Sequence, residues 1–377
     1  MSNAIDRELI RSLFLQNTPL MDVRAPLEFA QGAFPGALNY PLMTDQERHD
    51  VGICYKREGQ EAAIKLGHKL VSGDLKAQRI AQWLTFAKQH PDGYLYCFRG
   101  GLRSRTVQQW LGESGIELPL VNGGYKAMRR VLIDELEQSI EQSRFIILAG
   151  KTGTGKTWLL KELTNALDLE GFAHHRGSSF GRFPDGQPRQ IDFENKLSIS
   201  LLKKCHRGVQ QFWLEDEGKL IGSLVLPLSL QQKMQQAPLV LLEENLAYRV
   251  SITLKDYVVD LEAYYQQHYI QENPQAETPK AQSFKLFSSY LLDSLQRIKK
   301  RLGGERYQII QGQMQQALEE HSHSGNIDLH RLWIESLLTQ YYDPMYEYQL
   351  AKKQQRIIFS GNSHEILANQ KKILDMD

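Results

Sequence analysis

The run Gly150-Lys151-Thr152-Gly153-Thr154-Gly155-Lys156-Thr157 constrains this chain more than any other stretch. It fits G-x-x-x-x-G-K-[ST] in full. An apolar strand pattern at 145–149 precedes it, and a helical pattern carrying Trp158, Leu159, Leu163 and Leu167 follows. In such a turn the backbone N–H groups of Gly150, Thr152, Gly153, Thr154 and Gly155 converge on phosphate oxygens, and the helix N-terminus adds positive potential. Lys156 is expected to reach the terminal phosphates, and Thr157 to ligate Mg2+. The loop selects a di- or triphosphate and leaves the rest of the ligand open. Acidic pairs end two later apolar runs, Glu215-Asp216 and Glu243-Glu244. No metal site is firm, and Thr157 with Asp216 is the candidate Mg2+ pair.

A second loop reads Cys97-Phe98-Arg99-Gly100-Gly101-Leu102-Arg103-Ser104-Arg105, with a short apolar strand before it and a helical pattern after it. Backbone N–H groups at a helix start, together with guanidinium groups, favour thiolate over thiol. Such a thiolate in an anion-binding cup attacks an electrophile or carries an extra chalcogen atom. Arg99, Gly100, Gly101 and Arg103 are the candidate anion binders, and Cys97 the catalytic residue. Cys54 and Cys205 read as tolerated cysteines. Three cysteines far apart exclude a disulfide framework and a CxxC clip. His174-His175 and His321-Ser322-His323 lack a third ligand at metal spacing.

Strand and helix patterns alternate from 18 to 125, which implies a parallel α/β sheet. Strands are expected at 19–23, 36–40, 93–96 and 119–121. An amphipathic helix at 127–143 connects to a second α/β unit, which turns mostly helical past about residue 254. A late strand at 356–360 is expected to return to the second sheet. The 377 residues therefore divide as 14–137 and 138–377. Lys and Arg number 17 up to residue 140 and 28 after it, against 16 and 28 for Asp and Glu. That balance excludes a sequence-blind nucleic-acid coater, whose charge would be strongly positive. The longest apolar stretch, near 220–230, is broken by Gly222, Ser223 and Pro227 and is too short for a bilayer. The opening MSNAIDRELI carries no apolar signal core. A cytoplasmic protein without membrane contact is the expectation.

Further residues make the combination specific. Asp22-Val23-Arg24-Ala25-Pro26-Leu27-Glu28-Phe29, then Gly32-Ala33-Phe34-Pro35-Gly36-Ala37, resembles the opening motif of rhodaneses, with Ala33 in place of the usual histidine. Asn122-Gly123-Gly124-Tyr125 resembles the closing turn of the same fold. Cys97 to Arg103 also fits the C-x5-R loop of cysteine phosphatases, but Tyr96 stands where those enzymes carry histidine. The whole chain resembles the tRNA 2-selenouridine synthase family. That resemblance rests on both loops and on Val51-Gly52-Ile53-Cys54-Tyr55-Lys56, Asp168-Leu169-Glu170-Gly171, His175-Arg176-Gly177-Ser178-Ser179-Phe180-Gly181, Gln187-Pro188-Arg189-Gln190, Phe193-Glu194-Asn195 and Tyr341-Tyr342-Asp343-Pro344.

The resemblance implies a rhodanese-like parallel α/β domain followed by a P-loop NTPase-like α/β domain with a largely helical C-terminal extension. It implies a selenotransferase with geranyl transferase activity that replaces sulfur by selenium at C2 of wobble 2-thiouridine. Geranyl diphosphate and selenophosphate are the implied co-substrates, Mg2+ an open one, and ATP is not required. The implied partners are tRNA, through its anticodon loop, and an enzyme supplying selenophosphate. On this reading Cys97 takes selenium as a perselenide with phosphate released, Arg99 and Arg103 hold the donor, and the Gly150–Thr157 loop holds the prenyl diphosphate. His175 and Arg176 stay open between substrate contact and structural loop. Basic candidates for tRNA are Lys203, Lys204 and Arg207; Arg297, Lys299, Lys300 and Arg301; and Lys352, Lys353 and Arg356. Tyr341, Tyr342 and Tyr346 stay open between base stacking and core. The alternatives are a rhodanese-type sulfurtransferase with a nucleotide-dependent regulatory domain and a phosphate-sensing module with a dead rhodanese domain.

Overall fold

A computed structural model of the protein describes residues 2–374, and side chains from Asp6 onward. Met1 of the opening stretch lies outside the described residues. The chain folds into two compact units. The first runs through Glu141 and includes Arg189–Gly208; the second holds Gln142–Pro188 and continues from Val209. The division expected at 137/138 is thus close to the first crossing, but helix Gln190–His206, expected in the second part, belongs to the first unit. Its Ile199 and Leu202 bury against Met128, Leu132 and Phe34, a contact that local sequence pattern does not encode.

The first unit is built on parallel strands β1 (Leu20–Asp22), β2 (Leu38–Asn39) and β3 (Tyr94–Tyr96), in the order β2-β1-β3. Successive residues face opposite sides of a strand. Leu20 and Tyr96 accordingly pack with Phe34, Met128 and Leu132, whereas Met21 and Leu95 pack with Trp83, Phe86 and Leu111. The strand expected at 119–121 is reduced to a bridge from Leu120 to Leu95. Pro119 has no N–H to extend the ladder, and the Gly123-Gly124 turn follows at once.

In the second unit a four-stranded parallel sheet has the order β5-β4-β8-β9. Its strands are β4 (Arg144–Gly150), β5 (Gln211–Glu215), β8 (Leu239–Leu242) and β9 (Ile357–Gly361); β6 (Leu220–Ile221) and β7 (Leu224–Val225) form a separate antiparallel hairpin. The expected late strand is β9, beside β8. Ile146, Leu148, Trp213 and Val240 bury against Leu159 and Leu160 of helix Lys156–Glu162 and Ile366 of helix Ser363–Leu374. A helical region from Leu246 to Ala351 has its own core around Phe287, Leu291, Met314 and Trp333. Among the described residues no helix is long and apolar enough to cross a membrane.

Candidate functional site

Each unit carries one of the expected loops at the C-terminal end of a parallel strand, where open α/β sheets place ligands.

In the first unit, β3 delivers Cys97 into a turn closed by helix Leu102–Glu113. Gly124 adopts φ +56°, and a Cβ there would collide with the carbonyl oxygen of Cys97 and come within 2.5 Å of the Gly100 nitrogen. Two N–H groups that follow secure the turn: Tyr125 donates to the Cys97 carbonyl at 2.8 Å and Lys126 to that of Phe98 at 3.0 Å. The closing glycines therefore clamp the backbone of the cysteine loop.

Cys97 is 2% exposed, and its Sγ lies 3.2 Å from the Ser104 hydroxyl. Burial alone would raise its pKa. The Ser104 hydroxyl, the N–H groups of Arg99 and Ser104, and the Arg103 charge outweigh burial and hold the thiol below its ordinary value. The sulfur opens on a cup of about 600 Å3 lined by Arg24, Arg48, Arg99, Arg103, Tyr125 and Ile191, among others. Gly101 also lines it, whereas Gly100 is buried under the turn. Arg99 is exposed at the rim. Arg103 donates to Glu28 at 2.5 and 3.3 Å, and Arg48 meets the same carboxylate at 3.0 Å. Glu28 sits within the opening motif, but its hold on Arg103 spans 75 residues and could not be read locally. Ser104 lies within the cysteine loop and is the clearest omission from the expected site. Ala33 donates its N–H to Asp192 at 2.8 Å and accepts from Asn195 at 2.8 Å, so Asp192 and Asn195 of helix Gln190–His206 brace this side of the cup.

In the second unit, β4 ends at Gly150 and helix Lys156–Glu162 begins after the glycine turn. Gly153 adopts φ +81°, and a Cβ there would come within 2.5 Å of Thr253 Oγ1 and 2.8 Å of the Arg249 carbonyl. Lys156 donates to the carbonyls of Gly150 and Lys151 at 2.8 and 3.2 Å, and Thr154 donates to Lys151 at 2.8 Å. Arg249 braces the turn by donating to the Thr152 carbonyl at 2.9 Å, and Asp343 holds Arg249 at 2.9 and 2.5 Å. Asp343 is the acid of the Tyr341-Tyr342-Asp343-Pro344 stretch. Tyr341 and Tyr342 pack into the helical core.

The acidic partner of Thr157 differs from the expectation. Asp216 forms a salt bridge with Lys353 at 2.7 and 2.8 Å. Instead Glu215 stands at the end of β5, and ligand oxygens of Glu170, Glu215 and Glu217 lie within 4.8 Å of one another. Thr157 donates to Glu170 at 3.2 Å. Burial first, and then mutual repulsion, raise all three carboxyls well above their usual range. An all-oxygen set of this kind suits a hard divalent cation such as Mg2+.

Thr152 also lines an apolar crevice with Phe180, Thr253, Trp333, Ile334 and Leu337. Tyr257, Leu338 and Tyr342 reach it from two π-helical turns, Lys255–Val259 and Leu338–Tyr342. Such turns recur at functional sites. The crevice is tight, about 20 Å3, little more than the ~10–15 Å3 that one water needs.

His175 is buried, has no partner at Nδ1, and is pushed down to about 4 by burial and by the charges of Arg182, Arg297 and His174. Arg176 donates to the Asp256 carbonyl and pairs with its carboxylate at 3.8 Å. Arg176 thus has structural work within the second unit, whereas His175 keeps a buried, unpartnered ring nitrogen. Of the basic candidates, Lys353 is tied to Asp216 and Arg356 donates to the carbonyls of Ala237 and Met234. Lys203 reaches Asn17, and Arg297 donates to Ser179. Arg207, Lys300 and Arg301 are exposed.

The sequence profile of a family described as "tRNA 2-selenouridine synthase AAA domain" matches residues 143–375. A tRNA 2-selenouridine synthase of Pseudomonas fluorescens is 57% identical over 357 residues, 95% of each chain. One of Pseudomonas putida is 56% identical over 94% of this chain and 95% of that one. One of Marinobacter nauticus is 53% identical over 97% of both.

Proposed function

The chain belongs to the tRNA 2-selenouridine synthase family, and from that premise we propose that it converts wobble 2-thiouridine of tRNA to 2-selenouridine in two steps: S-geranylation from geranyl diphosphate, then selenium transfer from selenophosphate. The observation that carries the first step is the glycine loop itself, whose turn between β4 and helix Lys156–Glu162 suits a diphosphate leaving group. The neighbouring side chains of Phe180, Trp333 and Leu337 would suit a hydrocarbon chain once the tight crevice beside Thr152 widens. The thiocarbonyl sulfur attacks C1 of the geranyl group, the C–O bond breaks, and diphosphate leaves with the electron pair while N3 of the base loses its proton. The loop's N–H groups and Lys156 stabilise the departing charge. A divalent cation near Thr157 would neutralise part of it.

S-geranylation converts a poor leaving group into a thiol. Selenophosphate then adds through selenium to C2, the C2–S bond breaks, geranylthiol departs with a proton, and water cleaves the remaining Se–P bond to release phosphate. The cup around Cys97 holds selenophosphate, with Arg99 and the N–H groups facing its oxygens. A perselenide formed with phosphate released would require a two-electron oxidant that the reaction does not include. We therefore assign Cys97 to gripping and activating the donor, with selenium kept at the selenide level. A rhodanese-like ancestry for the first unit accords with its parallel sheet and cysteine cup. Exposed basic residues on each unit, Arg207 on the first and Lys300 and Arg301 on the second, are available to tRNA phosphates.

The test is nucleoside mass analysis of a 2-thiouridine stem-loop incubated with the full chain. Geranyl diphosphate alone is expected to give S-geranyl-2-thiouridine, and added selenophosphate 2-selenouridine. Unchanged nucleosides, with thiocyanate formed from thiosulfate and cyanide, would overturn the reading in favour of a sulfurtransferase.

A further inference from the structure

Glu215 is 1% exposed, and neither carboxylate oxygen has a hydrogen-bond partner. The nearby Thr157 hydroxyl has one proton, and it is given to Glu170. Lys156 of the same loop directs its ammonium to two backbone carbonyls. A buried carboxylate without a donor is costly, and two further carboxyls beside it make the cost greater. The backbone keeps this space clear. A Cβ on Gly177 would collide with Glu170 Oε1 and lie 2.8 Å from Glu217 Oε1, and Gly177 sits at φ +39°.

The dimensions are those of a cation site. Ligand oxygens span no more than 4.8 Å. Oxygens in trans positions are ~4.2 Å apart around Mg2+ and ~4.6–5.2 Å apart around Ca2+. Two ligands come from one chain segment, Glu215 at the end of β5 and Glu217 two residues on; Glu170 comes from helix Leu169–Ala173. All three oxygen donors belong to the protein, so the ion needs no phosphate to complete its first contacts.

We propose that Glu170, Glu215 and Glu217, with the Thr157 hydroxyl at their edge, bind one hard divalent cation before any phosphate ligand arrives. The ion is a resident of the second unit rather than a passenger on the diphosphate. It replaces the missing donor of Glu215 and fixes Glu170 beside the first turn of helix Lys156–Glu162.

Mn2+ titration of the full chain, followed by electron paramagnetic resonance in the absence of diphosphate or nucleotide, tests this directly. One tight Mn2+ per chain is expected, displaced competitively by Mg2+ or Ca2+. Glu215→Gln and Glu217→Gln, which keep side-chain size, are expected to weaken it by about tenfold or more. Thermal unfolding supplies a second readout. Metal is expected to raise the melting temperature of the wild-type chain, whereas Glu215→Gln raises that of the metal-free chain and abolishes the metal response. Mn2+ binding that appears only with diphosphate, or that both variants retain at wild-type strength, would overturn the proposal.

Discussion

Arg249 and Asp343, 94 residues apart, meet through two hydrogen bonds of 2.9 and 2.5 Å while Arg249 braces the Thr152 carbonyl of the glycine loop. Arg249 is nearly buried, so the loop's shape depends on a charge contributed by the helical region. Asp343→Asn keeps the size but removes the charge, and is expected to cost on the order of 2 kcal/mol. Chemical denaturation would measure that loss. Isothermal titration should show weaker geranyl diphosphate binding, and unchanged binding would show that the brace does not shape the loop.

The cysteine cup makes a pH prediction. Its donors favour the thiolate, so the folded pKa lies below the ordinary 9.0. Alkylation of Cys97 by iodoacetamide should rise with pH, reach half its maximum below that value, and then level off. Ser104→Ala removes the closest side-chain donor and should move the midpoint upward. The thiolate also favours the folded state above pH 9.0, a contribution lost as pH falls through the lower folded pKa. A midpoint that Ser104→Ala leaves in place would remove Ser104 from the account.

Separate loops for separate steps predict separable defects. Cys97→Ser should leave S-geranylation at its wild-type rate and stop selenation of an already geranylated stem-loop. Selenation by this variant would end the assignment of Cys97 to the selenium donor.

The crevice wall predicts a change in chain-length preference. Trp333 stacks on Phe180 with centroids 6.0 Å apart, and its indole N–H donates to His330 at 2.9 Å. Trp333→Leu should widen this wall and raise transfer from farnesyl diphosphate relative to geranyl diphosphate. Competition between the two donors, read by nucleoside mass, gives the ratio. An unchanged ratio with active enzyme would place chain-length control elsewhere.

The clamp at Gly124 predicts a loss of stability. Any Cβ there meets Cys97 and Gly100 backbone, and φ is positive as well. Gly124→Ala is expected to cost more than about 1 kcal/mol, the ordinary conformational difference between the two residues. Denaturant titration measures it.

Both loops were legible because each is contiguous: the glycine turn and the cysteine turn carry their own strand, bend and helix start. The acids that flank Thr157 were legible only to the element. The sequence shows β5 ending in Glu215-Asp216, but not which of two neighbouring side chains faces the loop. That depends on the pairing of Glu215 with Leu148 of β4, a long-range register. Glu170 lay inside a recognised stretch, yet its meeting with Glu217 needs the fold. The Glu28 hold on Arg103 was hidden for the same reason. Helix Gln190–His206 was readable as a helix but not as part of the first unit, because its buried face is apolar in either setting.

That helix has a consequence for how the protein is made. A ribosome that has released residue 141 has not yet delivered Asp192 and Asn195, the residues that brace Ala33. The first unit therefore waits, incomplete, while 142–188 emerges, and it closes only once residue 208 has appeared. Domains usually finish in the order they are synthesised. Here the early one finishes inside the synthesis of the late one, so no single cut of the chain yields two whole halves.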